Sequence, residues 1–98
     1  MNKIWYDTTS YSQRDKERVP RVWTLLLRNV KIIVHRHIHY DGWLLSCRDL
    51  QIDMIELENT DIDQAKQEAV EIVGNTLKTR IRQYTQILTG INEKEGKS

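Results

Sequence analysis

The sequence of 98 residues lacks several features that would assign it to a familiar class of protein. It contains no run of about 18 apolar residues, so we expect no transmembrane helix and no membrane partner. Its first residues, MNKIWYDTTSYSQ, include no apolar segment of the kind found in secretory signal peptides. The single cysteine, Cys47, cannot form an internal disulfide, which is typical of a reducing compartment. These absences predict a cytoplasmic protein, in a bacterium or in the interior of a host cell.

The chain also has almost no net charge, although its two halves differ. The 15 Lys and Arg residues and the 14 Asp and Glu residues give a formal charge of +1, far below that of a dedicated nucleic-acid-binding domain. Residues 1–48 nevertheless carry a net charge of +5, and residues 49–98 carry a net charge of −4. All three histidines lie in the basic half. The pattern indicates either a basic face that meets an anionic partner or an ordinary scatter of charge.

Residues 21–48 predict an antiparallel β-meander, because β-branched and aromatic side chains dominate this segment. A turn without glycine, Arg28-Asn29, joins the first two predicted strands. The stronger turn signal is Asp41-Gly42, because a two-residue type I′ turn needs positive φ at both central positions. It predicts a hairpin in which Tyr40 pairs with Trp43.

Both turns place the apolar side chains of the meander on one face of the sheet, which we predict to be the core. That face comprises Trp23, Leu25, Leu27, Ile32, Val34, Ile38, Tyr40, Trp43 and Leu45. Cys47 falls on the same face, which predicts an inert, buried thiol. The opposite face comprises Thr24, Leu26, Lys31, Ile33, His35, His37, His39, Leu44, Ser46 and Arg48.

Residues 61–89 carry apolar side chains at three- and four-residue steps, which predict one long helix packed on the sheet. Gly90 is expected to end this helix and to leave residues 90–98 as a flexible tail. The helix would be about 40 Å long, against about 20 Å for a six-residue strand. Its end must therefore overhang the sheet and be covered by residues 4–6 or by a second copy. Self-association in a homodimer is predicted through Ile81, Tyr84, Ile87 and Leu88.

Together these elements predict a single α+β domain over residues 1–98. Its core is a three-stranded antiparallel sheet with one long C-terminal helix packed on one face. Residues 1–20 are interpreted as an N-terminal arm in which residues 3–6 add a short edge strand. The acidic connection 49–60 fits either a fourth strand or an irregular loop, and the loop is favoured.

The alternating histidines His35, His37 and His39 are the most conspicuous motif. In a strand their imidazoles point the same way, about 7 Å apart, and two of them can share a metal ion. Three alternate positions on a straight strand rarely converge on one ion, however, and Arg48 is predicted on the same face. We therefore expect no metal and no other cofactor, and a histidine metal site is kept as a third hypothesis. No phosphate-binding loop or catalytic signature is present, so the protein is expected not to be an enzyme.

The same face is better interpreted as a docking surface for a macromolecule. Seven of its residues form the predicted partner-binding surface: His35, His37, His39, Arg48, Ser46, Lys31 and Leu44. Donor groups interleaved with apolar side chains can meet an acidic protein surface, where complementary charge assists association. They can also contact phosphates or stack on bases. A protein partner is the leading prediction, and DNA or RNA is the alternative.

The stretches VHRHIHYDGWLLSCRDLQID and DIDQAKQEAVEIV, which lie within residues 34–73, resemble small uncharacterised proteins of phages and other mobile elements. The resemblance includes no catalytic motif. It implies an accessory role, such as that of a defence-system inhibitor of the anti-CRISPR kind. Inhibitors of that kind are typically small and non-enzymatic, and they act by occluding a surface of their target.

Overall fold

The computed structural model describes residues 4–12, 19–37 and 40–96, with the backbone alone described at residues 37, 40, 41 and 94–96. Within these ranges, five strands, a short 3-10 helix and one α-helix follow one another. Their bounds are β1 Trp5–Asp7, β2 Val22–Leu27, β3 Val30–His37, β4 Tyr40–Cys47, the 3-10 helix Arg48–Leu50, β5 Ile52–Glu56 and α1 Ile62–Gly96. The strands form one antiparallel sheet in the order β1-β2-β3-β4-β5.

The α+β class and the long C-terminal helix are confirmed, but the sheet has five strands rather than three or four. The expected edge strand near the N-terminus is β1, whose Trp5 pairs with Leu25 of β2. The favoured loop over residues 49–60 is wrong, because a 3-10 turn leads directly into β5. Ile52 and Leu57, near the two ends of β5, are buried in the core, and this burial favours pairing with β4.

The hairpin between β2 and β3 has the predicted register. Leu27 pairs with Val30, and Leu25 pairs with Ile32. The turn residue Arg28 has a positive φ of 53°, in the left-handed region that a side chain with a Cβ adopts only at a cost. The register was predicted correctly although the Arg28-Asn29 turn has no glycine, because the apolar residues on both strands determine the pairing.

The predicted Asp41-Gly42 turn is wrong, because both residues lie inside β4. β3 ends at His37 and β4 begins at Tyr40, and these two residues pair with each other. Ile38, which was predicted on the core face, and His39 lie outside the described residues.

The reason for this difference is visible in the core. Val34 pairs with Leu45, and both side chains are fully buried. The register set by an Asp-Gly turn would instead place Val34 opposite Asp49, four residues further along. Because this shift is an even number of residues, the side chains from Trp43 to Cys47 keep the faces that were predicted for them. The side chain of Tyr40, which was predicted on the core face, lies outside the described residues.

The core lies between one face of the sheet and the first three turns of α1. Ala65, Ala69 and Val73 are the helix residues buried against the sheet. The sheet and its connections contribute Leu25, Ile32, Val34, Trp43, Leu45, Cys47, Leu50, Ile52 and Leu57. Of the predicted core, Leu27 is 43 % exposed and Trp23 is only partly buried, beneath the ammonium group of Lys66, whose Nζ lies 3.7 Å from the ring centroid.

The helix α1 continues through Gly90 to Gly96, so the expected stop at Gly90 is wrong. One glycine in a helix interior costs about 1 kcal/mol, and the residues after it include good helix formers. The 35 residues of α1 span about 52 Å. The molecule measures 70 × 24 × 24 Å, and its radius of gyration of 18.1 Å exceeds the roughly 13 Å of a compact chain of this length. The second half of α1 therefore projects beyond the sheet.

Glu68 joins the helix to the segment that precedes it. Its carboxylate accepts hydrogen bonds from the backbone N–H groups of Glu58 (2.8 Å) and Asn59 (3.0 Å) and from the Asn59 side-chain amide (2.7 Å). Desolvation raises the pKa of Glu68, but these hydrogen bonds outweigh it and hold the pKa below its ordinary value of 4.5. The ionised form of Glu68 therefore links the first turns of α1 to the segment that follows β5.

We predict that Glu68→Gln lowers the thermal midpoint at pH 7 by about 3–6 °C, since it removes roughly 1 kcal/mol of charge-assisted hydrogen bonding. Because the folded-state pKa of Glu68 is depressed, its stabilisation is present above the unfolded pKa and is lost as the pH falls through the folded pKa. Wild type and variant should therefore converge in acid, once the pH is below the lowered pKa of Glu68, in thermal denaturation followed by circular dichroism. Glu71→Gln, on the exposed side of α1, is the control. A difference that persists undiminished in acid contradicts the assignment.

We predict that Arg28→Gly raises the urea midpoint, because glycine adopts a φ of 53° without the steric cost that arginine bears. The expected gain is about 0.5–1 kcal/mol after the entropy that glycine adds to the unfolded chain. Asn29→Gly is the matched control and should be neutral or destabilising, because Asn29 has no positive φ, so glycine relieves no strain there and adds entropy to the unfolded chain. A lower midpoint for Arg28→Gly would show that the arginine side chain stabilises the fold by more than the positive φ of residue 28 destabilises it.

Candidate interaction surfaces

The face of the sheet that points away from α1 is named here the open face. Cross-strand pairing arranges its side chains in rows. The central row comprises Tyr6, Thr24, Ile33 and Ser46. On one side of it lie Leu26 and Lys31, and on the other lie Val22, His35, Leu44 and Glu56. The open face thus combines exposed apolar groups, such as Tyr6 and Leu26, with polar groups of both charges.

The seven predicted partner-binding residues are not all placed alike. Lys31 and Arg48 are exposed, although Arg48 lies in the 3-10 helix and not in a strand. His35 is half-buried on β3, and its Nε2 lies 3.0 Å from the hydroxyl of Ser46 on β4. His39 and the side chain of His37 lie outside the described residues.

Leu44 differs from its expected exposure. It is 3 % exposed, although it belongs to the open face. The reason is β5, which makes β4 an interior strand and flanks Leu44 with Glu56, while His35 flanks it from β3. The sequence interpretation treated β4 as the last strand of the sheet, and an edge position would have left this leucine accessible.

A groove of about 840 Å³ opens at one end of the open face. It is lined by Asn29, Lys31, Ile33, Ser46, Arg48, Asp49, Gln51, Ile52 and Asp53. Asp49 Oδ2 accepts a hydrogen bond from the backbone N–H of Lys31 (3.1 Å), which holds the 3-10 helix against β3. Ser46 Oγ accepts one from the backbone N–H of Met54 (3.1 Å), where β5 bulges at a φ of 49°. These side-chain contacts fix the walls of the groove.

The groove carries both signs of charge. Lys31 and Arg48 supply the cations, and Asp49 and Asp53 supply the carboxylates. The basic face expected from residues 1–48 is thus partly neutralised, because the 3-10 helix and β5 bring acidic residues of the second half beside it. Within the described part of the chain, no three His, Cys, Asp or Glu side chains are grouped so that they could hold a metal ion.

Cys47 lies on the core face of β4, and its side chain is fully buried, as predicted. Burial raises the pKa of the Cys47 thiol, and the nearby carboxylate of Asp49 adds to the shift, while backbone hydrogen bonds and Arg80 oppose it. The protonated, buried thiol is a poor nucleophile.

A second surface lies on the projecting half of α1. Leu77, Ile81, Tyr84, Leu88 and Ile91 follow one another at steps of four, three, four and three residues, and we name them the distal seam. These side chains are between 40 % and 63 % exposed, and Ile87 beside them is 59 % exposed. Three of the five residues were predicted for self-association. Leu77 and Ile91 were missed, because Leu77 was assigned to the core stripe and Gly90 was taken as the end of the helix.

The position of the distal seam also corrects one expectation. Residues 4–6 do not cover it, because Trp5 packs at the other end of α1, with its ring centroid 5.8 Å from Nζ of Lys66. Within the described residues, no helix is both long enough and apolar enough to span a membrane. The chain matches no protein-family model, no curated protein and no solved structure, so the surfaces themselves carry the functional argument.

Proposed function

We propose that this chain is a non-enzymatic interaction protein that binds a protein partner through the groove on the open face. The observation that carries the proposal is that Lys31, Ser46 and Arg48, three of the predicted contact residues, line one open groove. In keeping with the resemblance to proteins of phages and mobile elements, we assign it an accessory role inside the cell. Occlusion of a surface on a defence protein is the narrower form of this proposal.

The composition of the open face supports a protein partner. Ile33 in the groove and the exposed Leu26 and Tyr6 beside it offer apolar contact area. Lys31 and Arg48 stand next to Asp49 and Asp53, so the polar part can pair with groups of either sign. An apolar centre with a polar rim and an aromatic side chain is typical of protein–protein interfaces.

The charge of the groove counts against nucleic acid as the leading partner. Binding to DNA or RNA depends on neutralising several phosphates with Lys and Arg, which calls for a surface of one sign. Here Asp49 and Asp53 lie in the same groove, and Glu56 lies on the same face. Direct nucleic-acid binding is therefore the alternative outcome of the experiment below.

We predict that the full chain, immobilised through its C-terminus, retains a protein partner from a bacterial lysate after nuclease treatment. The double variant Lys31→Glu/Arg48→Glu should reduce recovery at least tenfold, because it reverses both exposed cations of the groove. Lys78→Glu/Arg82→Glu makes the same change of charge on exposed positions of α1 and should retain the partner. Circular dichroism checks that each variant is folded.

Two results contradict the proposal. Partner recovery that is unchanged in Lys31→Glu/Arg48→Glu removes the groove from the interface. Recovery of nucleic acid, with all protein lost after nuclease, assigns the face to DNA or RNA instead. In that case the affinity should fall steeply with salt concentration, by the release of counterions from the phosphates.

A further inference from the structure

We propose that a second copy of this chain covers the distal seam, so that the two projecting helices form an antiparallel two-stranded coiled coil. The 4-3-4-3 spacing from Leu77 to Ile91 is the a/d repeat of such a coil, with no charged residue at any of its five positions. This surface lies on a different element from the groove, so the inference does not depend on the proposed function.

The size of the seam matches what a dimer needs. Its five side chains and Ile87 are each roughly half exposed, and they offer on the order of 600 Å² of apolar area per protomer. Specific interfaces bury about 800 Å² per partner, part of which is a polar rim. A contiguous apolar patch of this size lies at the upper end of what a monomer normally exposes to water.

Ile87 selects the antiparallel arrangement. When Ile81 and Leu88 take the a positions of the heptad, Ile87 takes a g position beside the seam. In an antiparallel pair, g positions face g positions, so Ile87 packs against Ile87 of the second copy across the two-fold axis. In a parallel pair g faces e, and Ile87 would lie opposite the amide side chain of Asn92.

The antiparallel register also pairs the seam with itself. Ile81 of one copy packs on Ile91 of the other, and Tyr84 packs on Leu88, with each contact repeated by symmetry. The four layers formed by these contacts are apolar, and Leu77 lies outside them. The interface involves only the projecting half of each helix.

The sheet excludes the parallel alternative for a further reason. Ala69 and Val73, which pack on the sheet, are followed at steps of four by Leu77 and Ile81. The seam thus continues the stripe that faces the sheet. A parallel partner helix lying on it would run, over its residues 62–76, towards the space that the sheet of the first copy occupies.

We predict that the full chain sediments at twice its mass of 11.7 kDa at micromolar concentration. Ile81→Glu/Leu88→Glu should weaken the dimer at least 100-fold, because it buries two carboxylates at a positions. Thr79→Glu/Gln86→Glu adds the same charges at exposed positions outside the seam and should leave the dimer unchanged. All three tryptophans lie in the sheet, so their fluorescence shows that the domain itself stays folded in each variant.

The orientation is tested by oxidising two single-cysteine additions, since native Cys47 is buried. Ile87→Cys should cross-link the dimer, and Leu77→Cys should not, because two Leu77 positions lie about 27 Å apart in the antiparallel coil. Cross-linking of Leu77→Cys alone would overturn the orientation. The inference as a whole would be overturned if the wild type sediments as a monomer at about 200 µM, or if Ile81→Glu/Leu88→Glu still sediments as a dimer.

Discussion

The packing of two alanines of α1 on the sheet is the contact on which the rest of the structure depends. Ala65 and Ala69 are fully buried, and their small side chains let the helix axis lie close to β3 and β4. One helix then closes one face of five strands, so the other face remains a separate surface. The same contact occupies only the first part of a helix of about 52 Å. Both candidate surfaces therefore result from a single packing arrangement.

The sequence predicted those parts of the fold in which many residues indicate the same answer. The side-chain faces and the pairing of Leu25 with Ile32 follow from alternating apolar residues on two strands. Asp41-Gly42 failed because it is one local preference, and burial of Val34 against Leu45 outweighs it. β5 could not be recognised from its own residues, since its acidic composition resembles that of a loop.

The candidate surfaces were predictable to a similar extent. Lys31 and Arg48 were chosen from their face alone, and the structure places both at the groove. Leu44 could not be assessed, because its burial depends on β5. The acidic wall of the groove was missed for the same reason. The helix extends past Gly90 because the cost of one glycine, about 1 kcal/mol, is smaller than the favourable free energy of continuing a helix that has already formed.

The length of α1 has a consequence for affinity. In the antiparallel dimer, the two paired helices would hold the two grooves at a fixed distance from each other. After one groove has bound its partner, the second groove would meet a neighbouring partner at an effective concentration that is set by that distance. Partners displayed at a matching separation, on a two-fold assembly or a repeating array, would be bound with avidity. Isolated partners would experience only the affinity of a single groove.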